Sequence, residues 1–96
     1  MLNPELILHK KDDVRYRVVG DEGVVVRQTD AEVIAVNEVG ARILELLTDG
    51  RSIGHVLDTL TDEYAIDRAS LATDVEAFVR AMLEAGVLRA EGEVSS

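Results

Sequence analysis

The 96-residue chain is 47% hydrophobic and 30% charged, carries a formal net charge of -9 and has no cysteine, so it has the apolar content for one core and no room for a second domain. The acidic balance, with one Phe, two Tyr and no Trp, argues against nucleic acid, whose phosphates are held mainly by Lys and Arg and whose bases stack on aromatic rings. The lack of cysteine excludes disulfides, thiolate metal sites and a cysteine nucleophile, and fits a cytosolic protein.

Residues 1–13 contain the only proline, Pro4, and the mixed run "HKKDD", and are expected to form a flexible N-terminal arm. The basic pair follows a short apolar stretch, the wrong order for a secretory signal. No segment is long enough to span a bilayer. A cytoplasmic location and no membrane partner follow as expectations.

Two β segments come next, "VRYRVV" (14–19) and "VVVRQ" (24–28), joined by "GDEG" and read as a hairpin. The turn "TDA" leads into a third strand, Glu32 to Val36, completing an antiparallel meander. Alternation places Val14, Tyr16 and Val18 on one face with Val24 and Val26 beside them, and gathers Arg15, Arg17 and Arg27 on the other. That cluster is the only local basic feature. It is either a set of Arg stems solvating an exposed sheet face or an electrostatic contact for a partner's carboxylates.

Helical periodicity takes over at Asn37, a capping residue, and "TDG" at 48–50 ends the first helix. Ser52 caps a second helix with Ile53, Val56, Leu57, Leu60 and Tyr64 on its apolar side. Asp67 or Ser70 starts a third, whose stripe is Leu71, Val75, Phe78, Val79 and Met82 and whose end is Gly86. "VLRA" then packs back on the sheet or forms a short strand, and residues 91–96 read as a polar tail. The fold class expected for residues 14–90 is α+β: an N-terminal three-stranded antiparallel sheet followed by a three-helix bundle, in a winged helix-turn-helix-like order. That order raises DNA binding, but the helix that would enter the groove holds Asp67, Asp74, Glu76 and Glu84 against Arg68 and Arg80, and a net negative helix is repelled by phosphate.

No motif for catalysis emerges. His9 and His55 have no second ligand at metal spacing, "GDEG" lacks the Lys and following helix of a phosphate loop, and the pairs Asp12/Asp13, Asp21/Glu22 and Asp62/Glu63 sit in turns or on helix surface, where carboxylates are solvated. A binding protein without cofactor or metal is the expected class. The strongest clue is the third strand. In a three-stranded meander it is an edge, and "VIAV" carries none of the charges, prolines or bulges that usually protect one. Such an edge is open to an extended peptide, covered by the third helix or the arm, or used for homodimerisation.

The pattern "VNEVGARILELLTDGRSIGHVLDTLTDEY" followed by "DVEAFVRAMLEAGVL" resembles the PqqD family of pyrroloquinoline quinone biosynthesis. It also resembles the related recognition elements for ribosomally synthesised, post-translationally modified peptides (RiPPs). The resemblance rests on Val36-Asn37 with Gly40, on Asp49-Gly50 before the second helix, and on Asp74-Val75 to Phe78 with Gly86. It implies a non-catalytic peptide chaperone that binds the leader segment of a precursor peptide by strand addition and presents it to a modifying enzyme such as a radical SAM protein, a protease or a cyclase. Carried onto this chain, the peptide contacts are the main-chain groups of Glu32, Val33, Ile34, Ala35 and Val36, with Leu71, Ala72, Val75, Glu76 and Val79 on the third helix. Val79 is the sharpest of the helix candidates. A winged-helix DNA-binding or homodimerisation module is the alternative.

Overall fold

A computed structural model describes residues 3–91. The chain runs through β1 (Leu8–Lys10), β2 (Val14–Val19), β3 (Glu22–Arg27), β4 (Glu32–Val36), α1 (Glu38–Thr48), α2 (Ile53–Tyr64), α3 (Arg68–Glu84) and β5 (Leu88–Ala90). Strands β2, β3 and β4 form an antiparallel sheet in sequence order, and β1 pairs with β5 in a separate two-stranded ribbon. The expected sheet and three following helices are therefore present.

Local chemistry accounts for the boundaries. Val19 opposes Glu22, so the β2–β3 loop is only Gly20 and Asp21, and Gly20 supplies the positive φ (63°) that the first position of a tight hairpin turn requires. The Asn37 side chain accepts from the Gly40 N–H at 2.8 Å, which ends β4 and caps α1 in one residue. Ser52 caps α2 through the His55 N–H, and Asp67, rather than Ser70, caps α3.

One core joins all the elements. Leu8, Val14, Val25, Leu47, Val56, Leu60 and Val79 are fully buried, with Ile43, Leu71, Val75 and Leu88 nearly so; each such side chain contributes about 1.5–3 kcal/mol. Tyr16 fastens the sheet to α1 by donating its hydroxyl to the Ala41 carbonyl at 2.7 Å.

Two expectations are corrected. The supposed flexible arm is built into the fold: Leu8 is fully buried, β1 pairs with β5, and the Gly54 and Ile53 amides donate to the Pro4 and Leu6 carbonyls. "VLRA" thus contributes the strand that receives the arm, and the domain reaches back beyond residue 14. The expected polar tail falls, from residue 92 onward, outside the described residues. The sheet faces also differ. Val14 opposes Arg27, Tyr16 opposes Val25, and Arg15 and Arg17 oppose Val26 and Val24. Directly opposed residues share a face, so Val25 is the inward valine and Arg27 leaves the Arg15–Arg17 face for the inner one.

Candidate functional site: the open edge of β4 and the flank of α3

Strand β4 has β3 on one side only. The Gln28 amide donates to the Asp13 carbonyl, toward β2, so alternation turns the backbone groups of Arg27, Val25 and Gly23 toward β4. Their partners are Glu32, Ile34 and Val36. The N–H and C=O groups of Val33 and Ala35 therefore point away from the sheet. Among the described residues, no turn, loop or side-chain hydrogen bond takes them up. Their side chains lie on the outer face, where Val33 is 63% exposed, whereas Ile34 and Val36 turn inward.

Helix α3 runs alongside this edge. A Cβ on Gly40 would stand 2.8 Å from Cε1 of Phe78 and 3.2 Å from Cβ of Val36, so the absence of a side chain at Gly40 is what lets the Phe78 ring settle at the junction of β4 and α1. Farther along, the Arg27 guanidinium donates to the Ala85 carbonyl at the α3 C-cap. The middle of α3 thus lies by Val36 and its end by Arg27, antiparallel to β4. Helical spacing puts Asp74, Ala81 and Ala85 on the same flank as Phe78, with Phe78 and Ala85 half-buried and Asp74 and Ala81 exposed. Small side chains beside a single aromatic ring leave room next to the strand.

Arg27 closes one end of this groove. Its guanidinium also meets Asp30, with Nε 3.0 Å from Oδ1, and Nη2 lies 3.2 Å from a Glu32 carboxylate oxygen. The bond from Arg27 holds the Asp30 carboxyl below the usual carboxylate range, and Arg27 in turn is pushed up, chiefly by that same bond.

The strand residues expected to bind peptide, Glu32 to Val36, sit together at this edge. The helix residues expected with them do not. Val79 is fully buried, and Leu71 and Val75 are 1% exposed, so they are core and offer no groove surface. Ala72 and Glu76 lie on the opposite flank, where with Pro4, Ile53 and Leu57 they border a cavity of about 460 Å³. The helix residue that lies beside β4 is Phe78, and helical spacing places Ala81 and Ala85 on its flank. Phe78 was hidden by its place in the apolar stripe, and the signal that singles it out is the small residue at Gly40, a notch for a ring.

The model of the family described as coenzyme PQQ synthesis protein D (PqqD) matches residues 22–88. The chain belongs to the PqqD family. Its similarity to curated members is moderate: it is 34% identical over 56 residues to a PqqA binding protein of Rhodopseudomonas palustris, covering 58% of this chain and 55% of that one. A PqqA binding protein of Bradyrhizobium diazoefficiens is 34% identical over 64 residues, covering 67% and 62%. The chain thus matches a little over half the length of these PqqD relatives. Among solved structures it is similar to TbiB1 in complex with the TbiA(beta) leader peptide, with a TM-score of 0.80 and 28% identity over 91% of this chain and 99% of that one. Lasso peptide synthetase B1 complexed with its leader peptide shares the fold, with a TM-score of 0.79 at 24% identity over 85% and 96% of the two chains.

Proposed function

We propose that this PqqD-family chain is a RiPP recognition element: it binds the leader segment of a precursor peptide as an added strand on β4 and presents it to a modifying enzyme. The observation that carries the reading is the unprotected apolar edge of β4, with the backbone groups of Val33 and Ala35 turned outward beside the Phe78 flank of α3. Backbone bonds to those groups supply affinity at about 0.5–1.5 kcal/mol net each, much of it offset by ordering the leader. Specificity falls to inward-pointing leader side chains, which meet Ile34, Phe78, Ala81 and Ala85.

The chain's role is binding, and the chemistry belongs to the partner, a radical SAM protein, protease or cyclase. Among the described residues no helix is long and apolar enough to cross a membrane, and the cysteine-free composition supports a cytoplasmic setting. The acidic helices weigh against a nucleic-acid role. The test is a titration with synthetic leaders encoded by short reading frames beside the gene, using PqqA and the TbiA(beta) leader as comparators. One leader saturating at micromolar concentration is expected; no saturation by any of them would overturn the reading.

A further inference from the structure

Among the described residues, no helix or strand covers the outer face of the β2–β3–β4 sheet. Arg15, Arg17 and Val19 of β2 stand there with Val24 and Val26 of β3 and, by register, with Val33 and Ala35 of β4. Val19 is 60% and Val33 63% exposed, and the β2 and β3 side chains border a shallow depression of about 470 Å³. An apolar strip of this kind on a small acidic domain is a contact surface rather than a solvated one.

The charges on it define what it fits. Arg27, Arg42, Arg51, Arg68 and Arg80 each hold a carboxylate. Arg15 and Arg17 are in no ion pair among the described residues; Arg15 meets only the backbone carbonyls of Asp12 and Val14. Glu22, opposite Val19, shares this face, so in a chain of net charge -9 the strip carries positive charge at its Arg15–Arg17 end and one acid beside the turn. A two-fold pairing centred on the Arg15–Arg17 end would set these arginines against one another, so self-association through that end is disfavoured. A protein with apolar side chains flanked by carboxylates suits it.

Val33 and Ala35 belong to both surfaces: their side chains lie on the outer face and their backbone groups line the open edge. A leader strand added to β4 therefore widens the outer face, and leader side chains opposed to Val33 and Ala35 emerge on it. We propose that the outer sheet face is the docking surface for the precursor-processing enzyme, and that the enzyme reads the strip and the outward leader side chains as one composite surface. This rests on the leader-binding reading above. It gives the leader two sides with separate roles: the inward side chains select the recognition element and the outward ones select the enzyme.

The test uses the full chain, the leader that saturates it, and the enzyme encoded with that precursor. R15E/R17E and V24T/V26T are made at positions outside the groove, with R15K/R17K as the charge-conserving control. The expected result is leader Kd unchanged within twofold and enzyme affinity reduced at least tenfold in the first two variants, with R15K/R17K near wild type. The chain has no cysteine, so R17C carrying a benzophenone maleimide is the sole labelled site, and a leader-dependent cross-link to the enzyme is the second expected readout. Enzyme affinity unchanged in both variants would sink the proposal. So would a parallel loss of leader affinity, which assigns the face to the peptide, or a wild-type self-association in sedimentation that R15E/R17E abolishes, which assigns it to a second copy. If no leader saturates the chain, it is the leader-binding reading that fails.

Discussion

The backbone of β4 separates residues that adjacent positions in the sequence make look equivalent. Ala35 directs its N–H to the open edge and Ile34 directs its own to β3, so proline at the two positions has opposite consequences. Ala35→Pro removes a donor that a leader strand needs while leaving the internal ladder whole; leader affinity should fall at least tenfold with the circular dichroism spectrum retained. Ile34→Pro breaks the ladder and should unfold the strand. Equal behaviour of the two variants in calorimetry and titration would show that β4 does not receive the peptide. A second pair divides core from groove. Val79 is fully buried, so Val79→Ala should cost about 2 kcal/mol of stability in denaturant melts and leave leader affinity nearly unchanged in the folded protein. Half-buried Phe78 gives the reverse emphasis: Phe78→Ala should cost roughly 1–3 kcal/mol of stability and also weaken leader binding about tenfold.

Between elements, α3 is held to the sheet at the groove's end by Arg27, which joins the Ala85 carbonyl to Asp30 and Glu32. The Asp30 carboxyl lies below its ordinary value because of this bond, so the tie is fully formed above the usual carboxylate pKa and is lost as pH falls through the depressed one. Leader affinity should therefore be flat from neutral pH down to about pH 5 and weaken only below about pH 4. Glu63 and Glu76 are also held low by their arginines, so Asp30→Asn is the variant that isolates the tie: an acid limb in leader titrations that persists in it belongs elsewhere. This end of the groove was not legible in the sequence. "VVV" in β3 carries no alternation, so the phase of that strand comes from the turn, and the two-residue loop sends Val25 and Arg27 inward. The flank of α3 was equally hidden. Ala72 and Glu76 on one side of the apolar stripe and Asp74 and Ala81 on the other are equivalent by periodicity alone, Phe78 is merged into the stripe itself, and the placement of Phe78 beside β4 chooses between the flanks. By contrast β4 and the caps at Asn37 and Ser52 were plain, and the third was narrowed to Asp67 or Ser70, because these side chains act through bonds to amides a few residues away.

At the scale of the whole molecule, β1 and β5 close the fold on each other. Leu8 and Leu88 enter the core from β1 and β5, and the Lys11 amide donates to the Val87 carbonyl. The charged run "HKKDD" concealed this, since two buried or half-buried leucines ahead of it give too short an alternation to read as a strand. The consequence concerns stability and bears on the groove. β5 follows α3 directly after Gly86, and the Lys10 ammonium donates to the Val14 carbonyl at 2.8 Å, so the ribbon fixes both the end of α3 and the start of β2. Leu8→Ala should lose about 3 kcal/mol, lowering Tm by roughly 12–24 °C for a domain of this size. Because the ribbon packs on α1 and α3 and is hydrogen-bonded to neither edge of the sheet, a saturating leader should restore part of that loss by binding only the folded form. An unchanged Tm in Leu8→Ala would return residues 8–10 to a dispensable arm. A lowered Tm that no leader raises would instead show that the ribbon, and not the β4 edge alone, makes the surface the leader needs.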